Sequence, residues 1–332
     1  MVFKQNWEKT NDRTQVPAGL VETMLQLAYP GQTLKSHQVI AGGCANLNIK
    51  VIASGTDKPF NLRIYLRDKD AAFRESALGN LLNSEIAAPL TYYIGDCEGY
   101  RFALTEYLEG ITLRDLLLSD RPYDIAQIGY EVGTVLAKIS EHQFPLSGFL
   151  DAQLNVSQPL SQASYLQHAE ECLQHPVVQT QLGSNMVMNI RVTLEQNANF
   201  FPWEQDAHLV HGDFGPENIL VCQQDGNWKI SGVLDWEFAY AGSTIADISN
   251  MLRYAQHMPE AYETSFLQAL YDHEVLLPSH WRITMHMMNI LSLLGCLART
   301  DPKKQPNQCA DICALIDVHL KPLQHAIPLG RV

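Results

Sequence analysis

The sequence predicts an α+β protein of two lobes: a small antiparallel β-sheet lobe over residues 1–109, then a larger helical lobe over residues 110–332. Three observations predict this. The chain has 332 residues, 46% hydrophobic and 18% charged, which is enough apolar material for one large domain or two packed together. Its texture changes near Gly110, from short β-rich runs to long segments of helical periodicity. Its charge divides at the same place. Of the formal net charge of −13, residues 1–109 carry 12 acidic and 11 basic side chains, so nearly all of the excess lies in the second lobe.

In the first lobe, strands are expected at 38–41, 48–53, 60–67, 90–94 and 101–107, because β-branched and aromatic residues there alternate between Gly, Asp and Pro breaks. One helix interrupts them at about 70–83, where Phe73, Ala77, Leu78, Leu81 and Leu82 recur at helical spacing. In the second lobe Asp124 is placed to cap a helix whose apolar stripe is Ile128, Val132, Val135, Leu136 and Ile139. Further helices are expected near 161–174, 178–197, 244–257 and 279–298. A single β-hairpin, 219–221 with 228–234, turns through Gln-Asp-Gly-Asn.

The acidity, with a pI near 5.3, argues against a nucleic-acid-binding body. The opening residues are charged where a signal peptide needs an apolar run, and the uncharged stretch between Arg282 and Arg299 is too short to span a bilayer. Seven cysteines without a C-x-x-C pair fit reduced thiols, so a cytoplasmic protein with no membrane partner is expected. Cys309 and Cys313, four apart on an expected helix, lack further ligands and are read as core thiols; His280 and His286 are read as packing residues.

The informative segment is Leu209-Val210-His211-Gly212-Asp213-Phe214-Gly215-Pro216-Glu217-Asn218-Ile219-Leu220-Val221. An apolar run delivers His-Gly-Asp, and Asn218 opens the first hairpin strand. The second strand ends at Leu234-Asp235-Trp236-Glu237. Antiparallel pairing sets the start of one strand beside the end of the other, so Asn218 and Asp235 meet with Asp213 close by. Two carboxylates and an amide oxygen are hard ligands suited to Mg²⁺ carrying phosphate oxygens. Taken singly, each is an ordinary turn or cap residue. Together they reproduce the catalytic-loop and metal-loop spacing of kinases.

On these residues the chain, from about 39 to 253, resembles the aminoglycoside phosphotransferase and choline-kinase-like family, whose fold is protein-kinase-like. The resemblance implies that Asp213 orients or deprotonates an acceptor hydroxyl, that Asn218 and Asp235 hold Mg²⁺ on the nucleotide, and that His211 and Asp247 brace the loop. It further implies a phosphate-covering loop spanning Gly42, Gly43 and Asn46, whose small residues let backbone N–H groups approach phosphate. Where the family's third strand usually presents Lys, this chain has Arg63, whose fork also grips phosphate. Glu75 would aim Arg63, and backbone groups of Glu106 and Leu108 would form the hinge that meets the purine. Trp236 and Glu237 replace the Phe-Gly of protein kinases, as in the phosphotransferase branch.

The expected activity is therefore transfer of phosphate from ATP or GTP, with Mg²⁺, to the hydroxyl of a small molecule. The charge split favours a cationic acceptor such as an aminoglycoside, or a neutral one. Glu170, Glu171, Glu237, Glu260, Glu263 and Asp272 are the carboxylates offered for its recognition. Choline, ethanolamine, a sugar, homoserine or a macrolide are the alternative acceptors. A nucleotide-binding module without transfer is the rival of another class, which the intact Asp213, Asn218 and Asp235 set disfavours. A protein kinase lacks support: the Lys, the Gly-rich signature and an activation segment are all missing.

Overall fold

A computed structural model describes residues 4–8, 19–40 and 46–324. The first lobe runs α1 (Leu20–Ala28), β1 (Leu34–Ile40), β2 (Asn46–Ala53), β3 (Phe60–Tyr65), α2 (Ala71–Leu82), β4 (Thr91–Cys97) and β5 (Tyr100–Glu106). Its five strands form one antiparallel sheet in the order β1-β2-β3-β5-β4. The strand period of two explains which side each residue serves. Ile49, Val51, Leu62, Ile64, Phe102 and Leu104 turn to one face and bury against Leu20, Val21, Met24 and Leu25 of α1. Arg63 and Tyr65 alternate to the other face, where Tyr65 packs with Ala71, Ala72 and Ala103. Helix α1 is an addition to the elements expected from sequence; it is nine residues long and preceded by no side-chain cap, so its local signal is weak.

The second lobe runs β6 (Ile111–Thr112), α3 (Leu113–Leu117), α4 (Ile125–Ser140), β7 (Gly148–Leu150), β8 (Val156–Pro159), α5 (Gln162–Gln174), α6 (Pro176–Gln196), β9 (His208–Val210), β10 (Ile219–Gln224), β11 (Asn227–Val233), β12 (Tyr240–Gly242), α7 (Ile245–Met251), α8 (Glu260–Asp272), α9 (Trp281–Ala298) and α10 (Pro306–Gln324). Asp124 caps α4 as expected, accepting from the N–H groups of Ala126 and Gln127 at 2.9 and 3.1 Å. Helix α4 lies against α8 so closely that a Cβ on Gly129 or Gly133 would stand 2.6 and 2.4 Å from the carbonyl oxygens of Tyr262 and Phe266. Helix α9 is buried nearly all round by its Met, Ile and Leu residues, as expected of a helix at the centre of a lobe.

The structure corrects three expectations of detail. The helix read at 178–197 starts at Pro176 and is broken at Gly183, whose φ of 76° leaves the helical region. The helix read at 244–257 stops at Met251 and resumes only as a short 3₁₀ turn, Ala255–His257. The second lobe also holds strands beyond the hairpin: β6 extends it to a three-stranded sheet, and β8-β7-β12-β9 form another. These strands are two to four residues long, too short for any periodicity to show. The hairpin itself turns as read, with Asp225 and Gly226 both at positive φ (50° and 81°), the two-residue turn whose twist suits paired strands.

The core of the second lobe continues into the first through Leu78 and Leu82 of α2 and through Ile86 and Ala88. Val233 donates its N–H to the Ala87 carbonyl at 2.9 Å, which ties the end of the hairpin to the chain below the sheet. Among the described residues no helix is long and apolar enough to cross a membrane.

Candidate active site

Strand β9 carries the chain to His211, Gly212 and Asp213. Gly212 stands at φ 82°, and a Cβ there would lie 2.4 Å from the Phe238 carbonyl, so the turn requires glycine. The fully buried carboxylate of Asp247 accepts the N–H groups of His211 (2.7 Å) and Gly212 (3.0 Å) and so fixes the turn from behind. Burial pushes its carboxyl up to about 6, a rise that the two amides and His211 limit. The His211 ring is also fully buried. Its Nδ1 accepts from the Asp213 N–H at 3.2 Å, which leaves Nε2 to donate to the Leu234 carbonyl at 2.8 Å. Burial holds the ring neutral by lowering its pKa.

Asn218 donates Nδ2 to both the backbone oxygen (2.8 Å) and Oδ2 (3.0 Å) of Asp213, while its own carbonyl accepts from Leu234 N–H at 2.8 Å. The amide oxygen of Asn218 has no hydrogen-bond partner among the described residues. Asp235 stands two residues past the end of β11, with φ 67° and ψ 57°, a left-handed conformation that turns it away from the strand. Ile219 pairs with Val233, so Asn218 and Asp235 flank the open end of the hairpin. Burial raises the Asp213 carboxyl to about 6, against the opposing charge of Lys4.

From the sheet side, Arg63 of β3 enters the same space. Its Nη2 pairs with Asp235, lies 3.0 Å from Glu75 Oε1 of α2, and stands 4.0 Å from Glu237 Oε1. Tyr65 donates its hydroxyl to Glu75. Asn46, at the start of β2, donates to Glu237 at 2.9 Å and accepts from Leu66 N–H at 3.2 Å, so its side chain links the two lobes. Glu237 is buried; burial, and then the neighbouring Asp235, push its carboxyl up to about 7. Three carboxylates therefore face one guanidinium, an excess of negative charge that a divalent cation would balance. Asp235 and the open amide oxygen of Asn218 are hard oxygen donors of the kind Mg²⁺ takes, whereas among the described residues no three His, Cys, Asp or Glu side chains are grouped to hold a metal ion by themselves.

Of the hinge pair, Glu106 donates its N–H to the Leu90 carbonyl at 2.7 Å, and Leu108 N–H has no partner among the described residues. The Leu108 side chain covers Gly232, where a Cβ would come within 2.6 Å of its Cδ1. Gly42 and Gly43 lie outside the described residues.

Five of the six carboxylates offered from sequence for acceptor recognition are engaged by neighbouring side chains, and Glu260 opens α8. Glu170 pairs with Arg191 at 2.7 Å, Glu263 with Arg282 at 2.7 Å, Asp272 accepts from Tyr130 and Gln268, Glu171 from Gln167, and Glu237 belongs to the Arg63 cluster. The carboxylate that does share a cavity with Asp213 is Glu217, paired there with Lys4 and accompanied by Arg253. Glu217 was legible only as the residue before Asn218. Lys4, more than 200 positions from Glu217, had no signal at all.

A family model for phosphotransferase enzymes matches residues 36–279. The fold matches crystal structures of aminoglycoside phosphotransferase APH(4)-Ia at a TM-score of 0.69 and 18% identity, covering 92% of this chain and 98% of that one. A ternary complex of a thermostable mutant of the same enzyme with AMP-PNP and hygromycin B matches at 0.68 and 18%, covering 92% and 99%. The GDP and kanamycin complex of APH(2")-IIia matches at 0.66 and 15%, covering 90% and 98%. No curated protein matches the chain by sequence comparison. The two-lobed architecture is thus the kinase-like one, and the chain belongs to the phosphotransferase enzyme family.

Proposed function

We propose that this small-molecule phosphotransferase moves the γ-phosphoryl group of Mg-ATP or Mg-GTP to the hydroxyl of an amine-bearing small molecule in the cytoplasm, with Asp213 as its base. The observation that carries the reading is the junction of Asp213, Asn218 and Asp235 at the open end of one hairpin, with Arg63 reaching it from the sheet. Asp213 would accept the hydroxyl proton as the acceptor oxygen bonds to the γ-phosphorus. The bond from that phosphorus to the β,γ-bridging oxygen breaks, and the nucleoside diphosphate leaves with the electron pair. Asn218 and Asp235 would hold Mg²⁺, which supplies charge neutralisation on the phosphates when bound. Arg63, aimed by Glu75, would hold phosphate oxygens, the Gly42 and Gly43 loop would cover them, and the Glu106 carbonyl and Leu108 N–H would meet the purine edge.

The acidic second lobe supports a cationic acceptor, and the solved relatives that hold hygromycin B and kanamycin support a small-molecule acceptor of that kind. The experiment is ADP or GDP release across a panel of aminoglycosides, amino alcohols, sugars and macrolides. Release stimulated by an acceptor supports transfer. Hydrolysis that no acceptor stimulates would favour a binding module instead.

A further inference from the structure

The cavity beside Asp213 holds a side chain from the far end of the sequence. It is lined by Lys4, Asp213, Pro216, Glu217, Arg253 and Tyr254, and at about 10 Å³ it has room for a single water molecule. No acceptor fits while Lys4 is in place. Its ammonium pairs with Glu217 and acts by charge on Asp213, so it stands where a substrate amine would stand if its hydroxyl were to reach the base.

The attachment of the segment shows which part can leave. Trp7 Nε1 donates to Asp311 at 2.8 Å, and the Glu8 carboxylate accepts the N–H groups of Asn307 (2.7 Å) and Gln308 (3.2 Å) at the start of α10. The Lys4 carbonyl accepts from Arg114 at 3.1 Å. These bonds anchor the segment through Trp7, Glu8 and the Lys4 carbonyl, and the flexible lysine stem reaches from them into the cavity. Lys4 itself has φ 50°, a left-handed conformation that costs a non-glycine residue energy and that its contacts must compensate.

Charge then selects the replacement. Arg253 also lines the cavity, and its guanidinium is held by the neutral groups of Asn289 (2.8 Å), Ser292 (2.9 Å) and Asn250; among the described residues it pairs with no carboxylate. With Lys4 present, two cations face two carboxylates. With Lys4 withdrawn, Asp213 and Glu217 face Arg253 alone, and one half-buried negative charge is left without a partner. A second cation restores the balance; a neutral or anionic molecule does not.

We propose that Glu217 is the residue that recognises the acceptor, by binding an ammonium group next to the hydroxyl to be phosphorylated, and that the Lys4 ammonium occupies this place in the free protein until the acceptor displaces it. The proposal rests on the phosphotransferase reading for the chemistry after binding, but its test is binding itself.

Calorimetric titrations of the full chain saturated with Mg-ADP use kanamycin and ethanolamine as amine probes and trehalose as a neutral one. Lys4→Met should tighten amine binding about tenfold, the gain expected when an internal occupant that fills about nine-tenths of the sites is removed. Lys4→Arg should stay near wild type, and Glu217→Gln should weaken amine binding at least about tenfold while Mg-ADP affinity holds. Trehalose should not respond to any of them. Unchanged or weaker amine binding in Lys4→Met, no amine binding in any variant, or trehalose tightened equally would each overturn the proposal. Should Glu217→Gln fail to fold, the Lys4 pair decides alone. Failure of the two readings is separable: turnover of a neutral alcohol with no amine effect keeps the transferase and sinks this proposal, whereas amine binding released by Lys4→Met with no transfer to any alcohol does the reverse.

Discussion

His211 donates its Nε2 proton to the Leu234 carbonyl at 2.8 Å, a side-chain bond that ties the loop bearing Asp213 to the loop bearing Asp235. The bond has a defined direction because Nδ1 is occupied by the Asp213 N–H. Imidazole thus serves as a neutral two-ended brace between two loops whose alignment the chemistry depends on. His211→Phe keeps the ring volume and loses both bonds. It should destabilise the protein by about 2–4 kcal/mol, since a buried carbonyl and a buried N–H lose their partner together. Urea unfolding measures the loss, and a variant as stable as wild type would show that the ring is only filling space.

Asp213→Ala should lower kcat about 10²–10⁴-fold, the usual cost of losing a general base. Nucleotide affinity should stay nearly intact, because Asp213 faces the Lys4 and Glu217 cavity and makes no contact with Arg63. Turnover within a few-fold of wild type would remove Asp213 from the role of base.

Asp235→Asn should weaken Mg-nucleotide binding and turnover together. The substitution takes one formal charge from the carboxylates around Arg63 and leaves Glu75 and Glu237 to balance it. Titration with Mg-ADP, and with ADP alone as the control, reads the effect. Equal affinity of both proteins for Mg-ADP would remove Asp235 from the metal site.

The Asp213 carboxyl, raised to about 6 by burial, must be ionised to take a proton. The competent form therefore exists above that value, and kcat/KM should fall about tenfold per pH unit below it. Lys4 opposes the rise, so Lys4→Met should move the acid limb to higher pH. A profile flat down to pH 4.5 would contradict the assignment of Asp213.

His286 of α9 and His319 of α10 place their Nδ1 atoms 2.9 Å apart. Burial depresses both, to about 4 and about 3. Both are neutral in the folded state at pH values where the unfolded chain, with His near 6.5, already binds protons. Stability is then complete above about pH 6.5 and is lost as pH falls toward the folded values, by on the order of 2 kcal/mol over the first unit. Urea midpoints at pH 7.5, 6.5 and 5.5 measure the loss. His319→Leu should flatten it, and an unchanged slope in that variant would assign the acid sensitivity to other groups.

By itself the sequence determined the elements whose signal is local. The 101–107 strand, the Asp124-capped helix and the Asp-Gly hairpin all follow from periodicity or turn chemistry within about ten residues. The hairpin then brought Asn218 beside Asp235, because antiparallel pairing maps spacing along the chain directly onto distance. Elements of two to four residues, such as β6 and β12, escaped because they hold too few positions for a period. The tertiary structure decided which charges act together. Asn46 and Glu237, 191 positions apart, and Lys4 and Glu217, 213 apart, meet only because the lobes and the first residues fold onto the same loops. The sum of charges over the second lobe offered candidate carboxylates without placing any of them in the site. Net charge carries no address, whereas a buried carboxylate takes its partner from whichever cation the fold brings within a few ångströms.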